Sequence, residues 1–272
     1  MALKVMIATS AASGNFMKQI ILTGDDFGAS SKINEAMERL HVAGLLTQAS
    51  LMVEEPGVEE AVRIARRNPR LLVGLHLTVC TDFSGRYPAS PTAAGLRYAL
   101  LPWTRRALRE AVDRQFARFA ELDLGNVYWD GHTHSHLHPV VLRYALEAAQ
   151  KHNVKVMRLV QDETAPGLAA RILGGLSERA KPLLRTAAIA QVERSRGLAA
   201  TGRVNQRFIE QTLDTLPEGW TELYWHPGAE PEELDAPPLV ERMERLAITR
   251  VTSRDLAEEF SRRDAKPQRK RT

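Results

Sequence analysis

The sequence predicts an α/β fold, an irregular (β/α) barrel of about seven parallel strands with an extra helical segment. Short runs rich in apolar residues alternate with helical patterns over most of the 272 residues, as in sheets whose strands are joined by crossover helices. The run at 71–78 is apolar almost throughout rather than alternating, as strands buried on both faces are. Seven such strand–helix units of one polarity suit a barrel better than an open sheet.

The elements follow in order. Residues 19–23 form a strand that ends at Gly24-Asp25-Asp26-Phe27-Gly28. Ser30 or Ser31 caps a helix running to about Val42, which Gly44 stops. Residues 48–53 are a second strand, and Pro56 opens a helix to Arg67. The third strand, 71–78, is followed by a Gly/Pro-rich loop over 81–103 and a helix from about Ala107 to Leu122. Residues 127–130 are the fourth strand, 139–152 a helix and 154–160 the fifth strand. Residues 164–215 are Ala/Leu-rich and helical, interrupted by Gly174-Gly175, Pro182 and Gly202, and are expected to pack outside the barrel as a cap or dimer surface. A strand at 223–226, a helix at 237–246, a strand at 248–251 and a helix at 253–262 complete a single domain over 17–260.

Composition removes several classes. Apolar residues make up 44% and charged residues 26%, the balance of a globular chain. No apolar run reaches the length of a membrane span. The single cysteine, Cys80, forms no internal disulfide and reads as a bystander. The net charge of +4 is a property of one end: residues 261–272 hold six of the 37 Lys/Arg and one of the 33 Asp/Glu, leaving 31 basic against 32 acidic residues elsewhere. A basic end of this kind reads as a disordered tail, so no specific nucleic-acid partner is expected. Residues 1–16 read as an extension without the apolar core of a signal peptide, which makes the cytoplasm the expected compartment.

Four of the eight histidines fall within seven residues, in Asp130-Gly131-His132-Thr133-His134-Ser135-His136-Leu137-His138. In an extended chain, alternate side chains share a face about 6.6 Å apart, so two imidazoles can converge on one metal, or one binds while the next orients it. Which of His132, His134 and His136 bind directly stays open on this ground. Asp25 and Asp26 are adjacent carboxylates at a strand terminus. They point different ways, so one can bind a metal while the other takes a proton from water. His76 and His226 each sit where a strand stops. Asp25/Asp26, His76, the histidine cluster and His226 all fall at C-terminal strand ends, which in a parallel barrel open on one face. Arg158 on the fifth strand reads first as a member of an ordinary ion pair, with orientation of Asp25 as the alternative, while Trp129 and Trp225 read as barrel-lining residues able to stack on a sugar. No phosphate-binding, dinucleotide-binding or serine-elbow motif is present.

Thr23-Gly24-Asp25-Asp26-Phe27-Gly28, Gly74-Leu75-His76-Leu77-Thr78, the 130–136 run and His226-Pro227-Gly228 resemble, in order and spacing, the four signatures of the YdjC-like (ChbG) carbohydrate deacetylases. The likeness covers about residues 18–260. It implies a distorted seven-stranded barrel, often homodimeric, that removes acetyl groups from N-acetylated sugars with one divalent metal ion, Zn2+ or Mg2+. Carried over by position, it makes Asp26, His76 and His132 the metal ligands and Asp25 the base, with His226 near the leaving group. His134, His136, Arg158 and Trp225 are then supporting or substrate-binding candidates. Thr23-Gly24 stands where sugar-dimer deacetylases often have Asn-Ala, and the segment after the fifth strand departs as well. The whole chain looks most like the hopanoid-biosynthesis (HpnK-like) subgroup, which implies an N-acetylglucosaminyl hopanoid as substrate. The Ala/Leu-rich segment and basic tail suit a peripheral contact with the inner face of a membrane, and equally a dimer surface and a disordered end. Two rival expectations are a multinuclear amidohydrolase or phosphoesterase using His132 and His134 as a pair, and a non-catalytic metal- or lipid-binding relative.

Overall fold

Residues 17–192 and 194–264 are described by the computed structural model, and among them nine strands form one sheet. They are β1 (Lys18–Phe27), β2 (Gln48–Leu51), β3 (Leu72–Leu77), β4 (Tyr128–Gly131), β5 (Val156–Met157), β6 (Ala190–Gln191), β7 (Arg194–Arg196), β8 (Gly219–Trp225) and β9 (Ile248–Val251). The pairing path is β6-β5-β4-β3-β2-β1-β8-β7, and each recorded pair is parallel.

β1 is the hub. One edge pairs with β8 from Lys18 to Gly24; the other pairs with β9 from Lys18 to Ile21 and then with β2 from Thr23 to Phe27. The two ends of the path, β6 and β7, are consecutive in the chain. From Gln191 to Arg194 the backbone spans at most about 11 Å. Eight strands laid flat would put the edges about 34 Å apart at the usual spacing. The sheet therefore curls, and the chain itself brings its edges together.

Around it lie α1 (Ser31–Val42), α2 (Val58–Arg67), α3 (Pro91–Leu100), α4 (Arg105–Glu121), α5 (Pro139–Lys151), α6 (Gly167–Thr186), α7 (Gln206–Asp214), α8 (Ala236–Arg245) and α9 (Ser253–Asp264). Their apolar faces and the strands make one main core, including Ile20, Leu22, Met37, Leu75, Phe116, Trp129 and Trp225. No helix among the described residues is long and apolar enough to cross a membrane.

The predicted α/β architecture is observed, with three differences. The loop expected over 81–103 contains α3, started by the Ser90 hydroxyl accepting from Ala93 N, with Pro91 in the first turn. Gly174, Gly175 and Pro182 do not interrupt α6. Its buried face of Ser177, Ala180 and Leu184 is held down by Ser177 Oγ, which is 3.0 Å from both Val160 N and Val160 O. Tertiary packing here overrides weak helix propensity. Finally, the 164–215 segment also supplies β6 and β7, two and three residues long, which raises the strand count from about seven to nine. The expected extension at 1–16 and most of the tail at 261–272 lie outside the described residues.

Candidate functional site

Asp25 and Asp26 are re-aimed by a bulge. The β1–β2 register shifts between Gly24 and Phe27, and Asp26 takes a left-handed φ of 68°. Asp26 thereby turns toward the histidines and Asp25 toward the barrel interior. His132 Nδ1 donates to Asp26 Oδ1 at 2.8 Å, and His76 Nε2 lies 3.2 Å from the same oxygen. Ligand-capable atoms of Asp26, His76 and His132 all lie within 4.8 Å of one another.

Each arm is fixed from behind. His76 Nδ1 donates to Asp130 Oδ1 at 2.6 Å, leaving Nε2 for the centre. Gly74, two residues earlier, has no room for a side chain, because a Cβ there would sit 2.4 Å from the Tyr128 ring. His132 follows β4 on a 3-10 turn, His132–Leu137, in which Thr133 and His134 are left-handed at φ 52° and 58°. The histidines are thus not in extended chain, and alternate rings do not share a face. His134 Nε2 pairs with the Tyr224 hydroxyl at 3.2 Å, and the wholly buried His136 donates from Nε2 to Arg158 O at 3.0 Å. The turn sends one imidazole to Asp26 and uses the next two to fasten itself.

Asp25 is gripped by Arg158, a guanidinium only 2% exposed. Nη1 donates to Asp25 Oδ2 at 2.7 Å and Nη2 to Asp25 Oδ1 at 2.9 Å. The same group reaches Asp130 Oδ2 at 2.8 Å and Glu222 Oε1 at 2.9 Å, with its Cζ 4.5 Å from the Tyr224 ring centre. Thr23 Oγ1 donates to Glu222 Oε1 at 2.7 Å, and Ser50 Oγ to Asp130 Oδ2 at 2.7 Å. His226, just beyond β8, donates from Nδ1 to Glu230 Oε1 at 3.3 Å. Trp225, a substrate-stacking candidate in the sequence, is 1% exposed and belongs to the main core, so no ring face is open to a sugar.

The electrostatics follow from this packing. Three buried carboxylates, Asp25, Asp130 and Glu222, surround Arg158, and a fourth, Asp26, is buried between His76 and His132. Burial resists the charge of Asp26, yet hydrogen bonds from His132 and His76 and their charges hold its carboxyl well below the usual range. Burial alone would lower the His76 imidazole, but the charge and hydrogen bond of Asp130 push it up to about 10. Burial also works against the Asp130 charge, and Arg158 and His76 overcome it. Burial raises Glu222 against the pull of Arg158. His136 is lowered to about 4 by burial, and His134 is pushed well below its ordinary value by burial and neighbouring positive charge. His226 is opposed by burial but raised by its bond to Glu230 and the charges of Asp26 and Asp25. The buried carboxylates favour a positive partner at this centre, which the His76 proton supplies in part and a bound cation would replace. The donor set facing it, one carboxylate and two imidazoles, suits a divalent ion.

Sequence reasoning passed over Asp130, Glu222 and Glu230. Glu222 had a signal, since an acid inside the otherwise apolar strand β8 is expensive unless paired. A cavity of about 690 Å³ lined by His41, Arg67, Arg70 and Arg250 lies at the opposite, N-terminal end of the strands and brings no carboxylate to a histidine.

A family model described as YdjC-like protein matches residues 19–261. The chain belongs to the YdjC-like family. Among curated relatives, this YdjC-like chain is 33% identical over 144 residues to a carbohydrate deacetylase of Brevibacillus brevis, covering 51% of this chain and 58% of that protein. It is 32% identical over 161 residues to a carbohydrate deacetylase of Mus musculus, covering 52% and 50%. The YdjC-like chain thus spans about half the length of the curated relatives it matches. Among solved structures, an Enterococcus faecalis protein provisionally described as a cellobiose-phosphate cleavage protein matches at a TM-score of 0.64 and 16% identity, over 88% of this chain and 99% of that one, a likeness of fold.

Proposed function

We propose that this YdjC-like protein is a metal-dependent carbohydrate N-deacetylase, hydrolysing the acetamide of an N-acetylated amino sugar to acetate and free amine. The observation that carries the reading is the placement of a second carboxylate, Asp25, beside the convergent Asp26, His76 and His132. The kinship with carbohydrate deacetylases supports it.

Asp26, His76 and His132 would hold one divalent ion, Zn2+ or Mg2+. When bound, such an ion polarises the acetyl carbonyl and makes a water acidic. The remaining work falls to the chain. Asp25 keeps a free lone pair on each oxygen while Arg158 fixes its plane, so it takes a proton as water attacks the acetyl carbon. His226, held through Nδ1 by Glu230, gives a proton from its other nitrogen to the amine as the C–N bond breaks. The substrate proposed is an N-acetylglucosaminyl hopanoid or similar glycolipid, and the working form a homodimer.

A second group of ligand-capable side chains, Asp25, His76 and Asp130, is the natural place for another ion in the multinuclear alternative. Arg158 already bridges Asp25 and Asp130 there, which favours a single ion. Elemental analysis after reconstitution tests this. The wild type is expected to hold about one ion per chain and His132→Ala none. Asp25→Asn is expected to keep the ion and lose nearly all acetate release from N-acetylated glycans and glycolipids. Two ions per wild-type chain would favour the multinuclear hydrolase. A folded protein with an ion but no acetate release across such substrates would favour a non-catalytic relative.

A further inference from the structure

Nine large apolar side chains stand well exposed among the described residues, and six of them gather on two segments. Phe83, Leu96, Leu100 and Trp103 lie between β3 and α4, and Leu168 and Ile172 lie in the first turns of α6, each 53% to 74% exposed. The topology puts both segments at the mouth of the site. α4 must run back along the barrel to reach the start of β4, so its beginning and the α3 segment before it sit at the C-terminal strand ends. α6 starts from the same level, after β5. Both α3 and α6 pack against the histidine turn, and the Phe83 ring centre is 6.2 Å from that of His132. Scattered exposed apolar residues are ordinary, whereas six beside one opening mark a contact surface.

Charge selects what makes the contact. Residues 83–106 carry Arg86, Arg97, Arg105 and Arg106 and no acid, Arg106 being paired with Glu110 on the next turn, and the mouth-side half of α6, residues 167–176, carries Arg171 and no acid. A second copy seated on this rim would press basic surface on basic surface. An anionic bilayer accepts both features, with arginines at the headgroups, leucines below them and tryptophan at the boundary.

We propose that this rim docks on an anionic lipid surface with the mouth facing the headgroups. The inference deepens the deacetylase reading and rests on it for its purpose, which is that an amino sugar carried by a lipid reaches Asp25 and His76 while its tail stays in the bilayer. The test needs no substrate, so it stands or falls apart from that chemistry.

Full-length protein is mixed with vesicles of phosphatidylcholine and with vesicles of phosphatidylcholine and phosphatidylglycerol. Binding is read by co-sedimentation and by tryptophan emission. Of the four tryptophans, Trp129, Trp220 and Trp225 are buried, so a blue shift on binding reports Trp103. Sedimentation with the anionic vesicles, a blue shift, and loosening by salt are expected. Arg97→Glu/Arg106→Glu and Leu100→Ser/Leu168→Ser, all at exposed positions, are each expected to weaken partition by about tenfold or more with an unchanged circular dichroism spectrum. Absence of binding, or partition unchanged in both variants, overturns the proposal. So does binding with unshifted emission, which would place the contact elsewhere on the chain. A wild-type dimer that the leucine variant dissolves would assign the rim to a second copy, and overturns it too.

Discussion

Asp130 joins the two halves of the chemistry at a single side chain. One oxygen accepts from His76 and the other from Arg158 and Ser50, so the ligand arm and the base are held by the same carboxylate. Asp130→Asn retains the volume but loses the charge. Its affinity for the divalent ion, measured by chelator competition, is expected to fall about 10- to 100-fold. Arg158→Met is expected to be worse for the fold than for the ion, because it strands Asp25, Asp130 and Glu222 without their cation. Chemical denaturation should register a loss of about 3–5 kcal/mol, the scale of breaking a buried ion pair on one side. Asp25, Asp26, His76 and the histidine cluster as a group were visible in the sequence because their strand-end positions converge in any parallel barrel, whereas the grip of Arg158 on Asp25 could not be told there from an ordinary ion pair. Asp130 was hidden by its neighbours, since a carboxylate beside four histidines draws less notice than the histidines do.

The histidine turn shows what an element adds to a motif. Alternation along the sequence suggested an extended segment, but two left-handed residues wrap it into a turn, and His134 and His136 become its fasteners. No pairwise spacing reveals left-handed backbone at a threonine and a histidine, so the choice among the three imidazoles was illegible from spacing and came only from the family resemblance. The start of α3, in contrast, carries a signal that the reading of 81–103 as a loop passes over, a Ser90 cap followed by an N-terminal proline. His136 gives the turn a pH dependence. Its pKa in the folded protein, about 4, lies below the ordinary 6.5, so the folded state refuses a proton that the unfolded chain accepts. The stabilisation is complete above 6.5 and is lost as pH falls toward 4, a change of about 3 kcal/mol. Urea midpoints across that window should fall more steeply for wild type than for His136→Gln. At the neighbouring strand, Gly74→Ala is expected to cost about 1–3 kcal/mol by overpacking against Tyr128, and Gly74→Ala/Tyr128→Leu to recover part of it.

At the scale of the whole molecule, the strands with long apolar runs were readable and β6 and β7 were not, because two- and three-residue strands carry no periodicity. They stand at the two ends of the pairing path, β6 against β5 and β7 against β8, a long-range placement. The hub position of β1 has a related effect. Its partners β8 and β9 begin at Gly219 and Ile248, near the far end of the described chain. A chain truncated after Leu216 is expected to show no cooperative unfolding transition, and a sharp one would contradict this account. During synthesis β1 leaves the ribosome shortly before β2 but long before β8 and β9 exist. Both Asp25 and Asp26 then wait on a half-paired strand until β8 has been made, so the nascent chain presents an open β edge over that whole interval and is a natural client for chaperones.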